Sequence, residues 1–309
     1  MTYPQIDSFA AKLPHVRVLL ATYNGERWLD EQLESTVRQQ GVRVTVAASD
    51  DTSSDGTVEL LQRWASKESI EILPASASRF GSAHRNFLRL IRDAEPGDAD
   101  FFALADQDDI WLPGKLLRAV ECLCSTAAQG YSGNVTAFWP DGSRQLIDKA
   151  QPQRSLDHLF GSPGPGCTFV LPRPAFLQLK AFITEQFDRL QTIWVHDWLI
   201  YAFVRSSGGR WHIDSRPLML YRQHGRNEIG VNAGWRAAMN RWKLVRSGAY
   251  RRDILAIADA TGVANTVVDS LRRLNLADRV ALILRARAFR RRLSECLILA
   301  VLLLVMPRG

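Results

Sequence analysis

Cysteine is scarce in this chain, and what there is shows no pairing pattern. The four cysteines are Cys122, Cys124, Cys167 and Cys296. They are too few for a disulfide framework, and Cys122 and Cys124 lack the two-residue spacer of a zinc knuckle. Residues 1–13 also lack the basic-then-apolar layout of a secretory signal. These absences argue against a disulfide-rich secreted protein and predict a reduced, cytoplasmic one.

The apolar run near the C-terminus is too short to cross a membrane. Cys296–Met306 would extend about 16 Å as a helix, whereas a hydrocarbon core is about 30 Å thick. Arg285, Arg287 and the triplet 290–292 precede it. A basic stretch followed by a short apolar run is typical of helices that lie on an anionic membrane surface. The sequence therefore predicts peripheral attachment to the cytoplasmic face of the inner membrane. Packing on the rest of the protein and contact with a second copy are the alternatives.

The net charge of +7 averages two unlike parts of the chain. Residues 235–309 carry 15 Lys and Arg against 5 Asp and Glu, whereas the preceding residues carry 24 against 27. The basic character thus belongs to the C-terminal segment, which is predicted to be helical with interruptions near Gly248 and Gly262. This segment has no aromatic interleaving or recognised nucleic-acid module, so no nucleic-acid partner is expected.

In the first 120 residues, short continuous apolar runs typical of strands alternate with segments that have the hydrophobic spacing of helices. Apolar runs at 15–22, 42–48, 70–73 and 100–105 predict strands, and helical spacing follows each of the first three. This order predicts an α/β fold with a doubly wound, mostly parallel sheet flanked by helices. We expect a catalytic domain at 1–234, with halves at about 15–125 and 126–234. A helical basic extension, a candidate membrane-surface anchor, would occupy 235–309.

Polar residues follow three of the predicted strands, at 22–26, 50–55 and 106–109. The carboxyl ends of parallel strands share one edge of a sheet, and that edge is where ligands bind in open α/β folds. Asp106 and Asp108 are two residues apart, so both can face one hard cation. Such a cation would neutralise a departing diphosphate. The alternative is an acidic turn that caps a helix beginning near Pro113.

Other polar segments leave their roles open on the residues alone. The turn at 22–26 can offer hydroxyls and backbone groups to a base or ribose, or merely cap a helix. Asp50 and Asp51 can accept from a pyrimidine N–H, and Arg85 at a helix start can reach a phosphate or stay solvated. Asp197 is a candidate general base or a helix cap.

His224 lies in a glycine-containing polar stretch, Tyr221–Asn227, that we expect to be an irregular loop. Its imidazole is a candidate metal ligand or diphosphate contact, although single histidines are usually structural or solvated.

Five motifs occur in a characteristic order between about residues 15 and 230. They are VRVLLATYNGERWLDEQLESTVRQQ, SDDTSSDGT, FFALADQDDIWLPGKL, HDW and YRQHG. Together they resemble family 2 glycosyltransferases of the GT-A fold, and among these the bacterial rhamnosyltransferase-type polysaccharide enzymes. The resemblance implies metal-dependent, inverting transfer of a sugar from a nucleoside diphosphate to a hydroxyl of a growing cell-surface glycan. The donor would be dTDP- or UDP-linked, with dTDP-rhamnose a candidate, and lipopolysaccharide or another lipid-linked glycan would be the acceptor.

The resemblance also implies a role for each motif residue. The residues of the nucleotide-sugar site would be Thr22, Tyr23, Asn24, Glu26, Asp50, Asp51, Arg85, Asp106 and Gln107. Mg²⁺ or Mn²⁺ would be held by Asp106, Asp108 and His224, and the catalytic base would be Asp197. The residues on the sugar and acceptor side would be Asp109, Trp111, His196 and Trp198.

One position departs from the family pattern. Thr52 stands where these enzymes usually have glycine. If that position requires a left-handed backbone, threonine costs about 1–2 kcal/mol there. A reshaped loop would bear on the choice of base.

Two other functions fit parts of this sequence. A sugar nucleotidyltransferase would share the nucleotide site, but it needs a glycine-rich, lysine-containing loop after the first strand, and that loop is missing. A non-catalytic scaffold at the membrane would not need intact acidic motifs, and Asp106, Asp108 and Asp197 are all present. The enzyme is therefore the favoured hypothesis.

Overall fold

Strands and helices alternate along the first half of the protein. The computed structural model describes residues 12–193, 195–225 and 246–308. Its strands are β1 (His15–Thr22), β2 (Arg43–Asp50), β3 (Ile70–Ile72), β4 (Phe101–Ala105), β5 (Ile110–Trp111), β6 (Gly130–Gly133), β7 (Val135–Phe138), β8 (Arg144–Ile147), β9 (Val170–Pro172), β10 (Trp211–Asp214) and β11 (Met219–Arg222). Its helices are α1 (Glu26–Val37), α2 (Thr57–Ala65), α3 (Ala83–Asp93), α4 (Lys115–Thr126), α5 (Arg173–Glu185), α6 (Phe187–Leu190), α7 (His196–Ser206), α8 (Ala249–Ala260), α9 (Thr266–Arg273), α10 (Leu276–Leu284), α11 (Ala286–Phe289) and α12 (Leu293–Val305).

Seven strands form the main sheet in the order β10-β6-β9-β4-β1-β2-β3. β1 runs parallel to β2 and β4, whereas β9 runs antiparallel between β4 and β6. All five residues of β4 are buried, as expected for a central strand with both faces covered. The predicted mostly parallel α/β sheet is confirmed.

The register of this sheet aligns the strand ends that the sequence singled out. Thr22 at the end of β1 pairs with Asp50 at the end of β2, and Leu20 pairs with Ala105 at the end of β4. The turns after these three strands therefore emerge at one edge. This edge carries the site described below.

A second sheet was not predicted. Its four strands have the order β5-β11-β7-β8, and two of them come from the segment 126–166, which the sequence marked only as rich in breakers. The expectation of an irregular loop at Tyr221–Asn227 is wrong in its first two residues. Tyr221 and Arg222 belong to β11, because they pair with Ala137 and Phe138 of the parallel strand β7. Arg226 and Asn227 lie outside the described residues.

The C-terminal helices pack onto α7 and the segment around Phe160. Both predicted interruptions are present, since Gly248 and Gly262 have positive φ angles of 73° and 69°. A further break lies between α9 and α10, where Asn275 forms a capping box with Asp278. Buried residues of α8, α9 and α11 share one core with Phe160 and α7. Residues 235–245, and with them the predicted domain boundary, lie outside the described part.

None of the described helices combines the length and the apolar character that crossing a bilayer requires.

Candidate active site

A cleft of about 860 Å³ opens at the carboxyl edge of β1, β2 and β4. One half is built from the turns after these strands. The other half is built from 145–149, 162–166 and the start of α7, and Arg290 and Arg292 also line it. Of the predicted site residues, those on the cleft surface are Thr22, Tyr23, Asn24, Asp51, Asp106, Gln107, Asp108, His196, Asp197 and His224. Those that are not on its surface are Glu26, Asp50, Arg85, Asp109, Trp111 and Trp198.

Gln107 fixes the turn that follows β1. Its side-chain oxygen accepts from the Tyr23 backbone N–H at 2.7 Å, and its amide nitrogen donates to the Tyr23 carbonyl at 2.8 Å. Gly25 allows this contact, because a Cβ there would collide with the Gln107 amide. Gln107, itself on the cleft surface, therefore fixes the shape of the turn after β1 where that turn borders the cleft.

Asp50 and Glu26 hold the loop after β2. Asp50 accepts from the Thr22 hydroxyl at 2.9 Å and from the Ser53 backbone N–H at 2.7 Å. Glu26 accepts from the Gly56 backbone N–H at 3.0 Å. Both carboxylates are thus engaged in forming the loop, and they stand behind the cleft surface.

Asp51 and Thr52 complete this loop. Asp51 is buried and accepts from the backbone N–H groups of Phe80 and Gly81. Thr52 has a φ of 57°, in the left-handed region that its glycine counterpart would adopt freely. The predicted strain is therefore present, and the Thr52 hydroxyl donates to the Asp51 carbonyl at 2.6 Å.

Arg79 and Asn86, rather than Arg85, face the cleft. Arg85 is exposed and donates to the backbone carbonyls of Phe80 and Gln191. The Arg79 guanidinium lies 3.7 Å from the centre of the Tyr23 ring and 3.6 Å from the Asp51 carboxylate. The residues alone gave no signal for Arg79, because it lies in an irregular segment without periodicity.

Asp108 and His224 meet on the cleft surface. Asp108 Oδ2 and His224 Nε2 are 2.6 Å apart, and the His224 ring stacks on Trp28 with 4.0 Å between ring centroids. Asp106 lines the same wall of the cleft. Two carboxylates and an imidazole are a donor set that suits Mn²⁺ and also accepts Mg²⁺.

Asp109 lies beneath this wall and is fully buried. It accepts from the Arg222 backbone N–H at 3.1 Å. Burial, with the added repulsion of Asp108 and Asp106, raises its pKa well above the usual value. Ligand atoms of Asp106 and Asp109 lie within 4.8 Å of each other, and a divalent cation there would relieve this crowding of negative charge.

A buried lysine lies under the same wall. Burial lowers the pKa of Lys115 to about 7, and its ammonium stands 3.4 Å from the centre of the Trp111 ring. Trp111 is 2% exposed and Trp198 5% exposed. Both tryptophans support the cleft from below rather than presenting a surface to a ligand.

Asp197 and His196 lie at the start of α7 on the opposite side of the cleft. Burial raises the pKa of Asp197 to about 6, while the Trp198 backbone N–H, donating at 2.6 Å, and Ser162 and Lys149 act in the opposite sense. Burial lowers the pKa of His196 to about 3, so its imidazole is neutral at physiological pH. The cleft therefore combines a carboxylate suited to accept a proton with a neutral hydrogen-bonding neighbour.

Comparison with known proteins agrees with this geometry. Residues 17–167 match the model of the family described as Glycosyl transferase family 2. The dTDP-rhamnosyl transferase RfbG of Shigella flexneri is 41% identical over 243 residues, which are 78% of this chain and 84% of that protein. The chain belongs to glycosyltransferase family 2. This family 2 enzyme is also 27% identical to the succinoglycan biosynthesis protein ExoO of Rhizobium meliloti, over 72% of its own length and 63% of ExoO.

Solved structures share the fold of this family 2 glycosyltransferase at low sequence identity. S. aureus TarS in complex with UDP-GlcNAc superposes with a TM-score of 0.59 and 14% identity, covering 95% of this chain and 82% of TarS. The mannosyltransferase PcManGT of Pyrobaculum calidifontis, in complex with GDP-Man and Mn²⁺, gives a TM-score of 0.50 and 15% identity, covering 96% and 85%. The expected GT-A fold is confirmed.

Proposed function

We propose that this enzyme transfers rhamnose from dTDP-rhamnose to a hydroxyl of a lipid-linked cell-surface glycan, with inversion at the anomeric carbon. The observation that carries the proposal is the placement of Asp106, Asp108 and His224 across one cleft from Asp197. The name of the 41% identical Shigella relative supports the choice of nucleotide and sugar.

The donor would occupy the half of the cleft built by the turns after β1, β2 and β4. Tyr23, with Arg79 stacked on it, and Asp51 present an aromatic face, a cation and a carboxylate to the nucleotide. Asp106, Asp108 and His224 would hold Mn²⁺ or Mg²⁺, which when bound stabilises the negative charge of the departing diphosphate. Trp28 fixes the imidazole plane by stacking on it.

Asp197 would act as the general base for the acceptor. Its carboxylate takes the proton of the acceptor hydroxyl while that oxygen forms a bond to the anomeric carbon. The bond from that carbon to the diphosphate oxygen breaks, and its electron pair leaves with the diphosphate on the opposite face. Neutral His196 lies beside Asp197 on the cleft surface and can hydrogen-bond the acceptor without adding charge.

We also propose that the C-terminal helices attach the enzyme to the cytoplasmic surface of the membrane. α10 and α12 pack against each other and leave apolar side chains in solvent. We call these the apolar face, and its members are Leu276, Val280, Leu284, Leu293, Leu297, Ile298, Val301, Leu304 and Val305. Their exposed fractions range from 41% to 81%. The neighbouring arginines complement anionic lipid headgroups.

Turnover of a panel of donors tests the proposed reaction. The purified enzyme is incubated with dTDP-rhamnose, UDP-GlcNAc or GDP-mannose, with and without Mn²⁺, and hydrolysis of the donor, in which water takes the place of the acceptor hydroxyl, is measured as release of the nucleoside diphosphate. We expect the fastest release from dTDP-rhamnose, only with the metal, and at least a hundredfold loss in Asp197→Asn. A preference for another donor would overturn the donor assignment. No release from any donor would favour the scaffold hypothesis.

A further inference from the structure

The two halves of the cleft carry opposite charge. The donor half presents three carboxylates, Asp51, Asp106 and Asp108, against one arginine, Arg79, whereas the acceptor half presents three cations against two carboxylates, Asp148 and Asp197. We call these cations the basic wall, and its members are Lys149, Arg290 and Arg292. Two of the three come from the C-terminal extension. The extension therefore contributes surface to the active-site cleft.

Arg291 locks the basic wall in place. It donates to the Lys149 carbonyl at 3.0 Å and to the Ser162 carbonyl at 2.7 Å, and it lies 3.4 Å from the buried Asp157 carboxylate. These contacts pin the segment 290–292 onto the loop that borders the cleft. Since Arg291 is used for this purpose, its two neighbours are left facing the cleft.

The members of the basic wall differ in their partners. Arg292 pairs with Asp148 at 2.9 Å. Arg290 donates to the Tyr250 hydroxyl at 2.8 Å, and within the part of the chain that the structure describes, neither Arg290 nor Lys149 forms an ion pair. Glu295 acts on Lys149 through its charge from further away. The wall thus retains positive charge that an anionic ligand would balance.

Lys149 also lies close to the catalytic side chain. Both residues line the acceptor half of the cleft, and the positive charge of Lys149 counters the rise in the pKa of Asp197. Burial and the arginines 290–292 lower the pKa of Lys149 itself. An anion bound at the wall would therefore lie beside the acceptor hydroxyl that Asp197 deprotonates.

The basic wall passes directly into the apolar face of α12. Leu293 follows Arg292 in the chain and is 59% exposed, and Leu297, one turn later, is 63% exposed. A ligand that joins a phosphate group to a hydrocarbon chain would match both surfaces at once. A free sugar phosphate or an acidic sugar would match only the first.

We propose that Lys149, Arg290 and Arg292 form an acceptor subsite for the phosphate ester that joins the acceptor glycan to its lipid. The C-terminal extension then completes the active site as well as facing the membrane. This inference rests on the proposed function, because it assigns the substrate class of the same cleft.

Binding of short isoprenoid probes tests the subsite. The full-length enzyme is first saturated with dTDP and Mg²⁺, so that the donor half is filled, and geranyl phosphate is then titrated by thermophoresis. Geranic acid and geraniol, with the same chain, replace the phosphate by a carboxylate and by a neutral hydroxyl. We expect geranyl phosphate to bind at least tenfold more tightly than either, since a charge-assisted contact contributes about a factor of ten.

Substitutions distinguish binding at the basic wall from non-specific attraction to the positive charge of the protein. Lys149→Gln with Arg290→Gln should weaken geranyl phosphate binding at least tenfold and leave dTDP affinity unchanged. Arg290→Lys should retain most of the binding, and the matched control Arg287→Gln removes an exposed arginine that does not line the cleft and should have no effect. Arg290→Gln also removes the hydrogen bond to Tyr250. The single variant Lys149→Gln keeps that bond, so weaker binding by this variant cannot be caused by misfolding from its loss.

Equal binding of geranyl phosphate by the wild type and the double variant would overturn the subsite. It would also be overturned if the wild type bound geranic acid as tightly as geranyl phosphate. Loss of binding in Arg287→Gln as well would mean a diffuse charge effect and would also overturn it. Failure of the wild type to bind dTDP would instead contradict the proposed function.

Discussion

Burial gives Asp197 the properties of a base at neutral pH. Its pKa is raised to about 6, close enough to physiological pH for efficient proton transfer and low enough for the carboxylate to be ionised. We expect Asp197→Asn to lower kcat by about 10²–10⁴-fold, because it removes the base but preserves the shape. Affinity for dTDP, measured by calorimetry, should not change. A variant with near-normal kcat would exclude this residue as the base.

The pH profile provides a second test of the same residue. Since the active form of Asp197 is ionised, kcat/KM for the acceptor should rise with pH and level off above a midpoint near 6. His196 stays neutral across this range and adds no further inflection. The measurement is initial rate against pH at acceptor concentrations well below KM. A rate that falls as pH rises from 5 to 7 would require a general acid instead.

Thr52 carries backbone strain that glycine would remove. Its φ of 57° costs a β-branched residue about 1–2 kcal/mol, and Thr52→Gly would remove this strain. Part of the stability gained in this way is lost again, because the unfolded chain is more flexible with glycine. Thr52→Gly should therefore raise the free energy of unfolding by up to about 1 kcal/mol and Tm by about 2 °C. Thr52→Ala, which keeps the Cβ and removes the hydroxyl, serves as the control and should not stabilise. A lower Tm for the glycine variant would contradict the strain.

Residues inside the motifs were predictable, and residues outside them were not. Asp106, Asp108, Asp197 and His224 lie in stretches whose resemblance is visible in the chain. Arg79 and Lys149 lie in irregular segments, and only tertiary folding brings them to the cleft. The sequence also could not separate side chains that face the cleft from those that hold a loop, as Asp50 does by accepting from Ser53.

At the scale of elements, the spacing of hydrophobic residues predicted strands and helices well where the hydrophobic runs were long. β4 is entirely buried and was evident as an apolar run. β6 and β8 were missed, because Gly130–Gly133 contains two glycines and Arg144–Ile147 is largely exposed and polar. β6 in the main sheet and β8 in the second sheet depend on their neighbouring strands rather than on their own propensity.

The sequence also could not predict which side of α12 is buried. The helix is apolar all round, so the sequence could not say which side packs, yet Leu299 is 1% exposed and Leu297 63%. Leu297→Ser with Val301→Ser should weaken binding to phosphatidylglycerol vesicles in a flotation assay with little change in Tm. Leu299→Ala should instead cost about 2–5 kcal/mol of stability, because it leaves a cavity. Unchanged vesicle binding by the serine variant would refute membrane attachment through this face.

At the scale of the whole molecule, the change in net charge along the chain coincides with the start of the C-terminal extension. The first 234 residues are mildly acidic and the last 75 strongly basic. The structure places the two against each other, with the acidic donor half of the cleft facing arginines from the extension. Composition revealed the asymmetry, but the shared core of α7 and the C-terminal helices could not be read from it.

Calorimetric titration of dTDP, with and without Mn²⁺, tests the central claim most directly. The claim is that Asp106, Asp108 and His224 hold a divalent cation that binds the donor diphosphate. We predict that removing Mn²⁺ weakens dTDP binding at least tenfold in the wild type, and that Asp108→Asn binds dTDP weakly under both conditions. Equal affinity with and without the metal, together with normal binding by Asp108→Asn, would contradict the account.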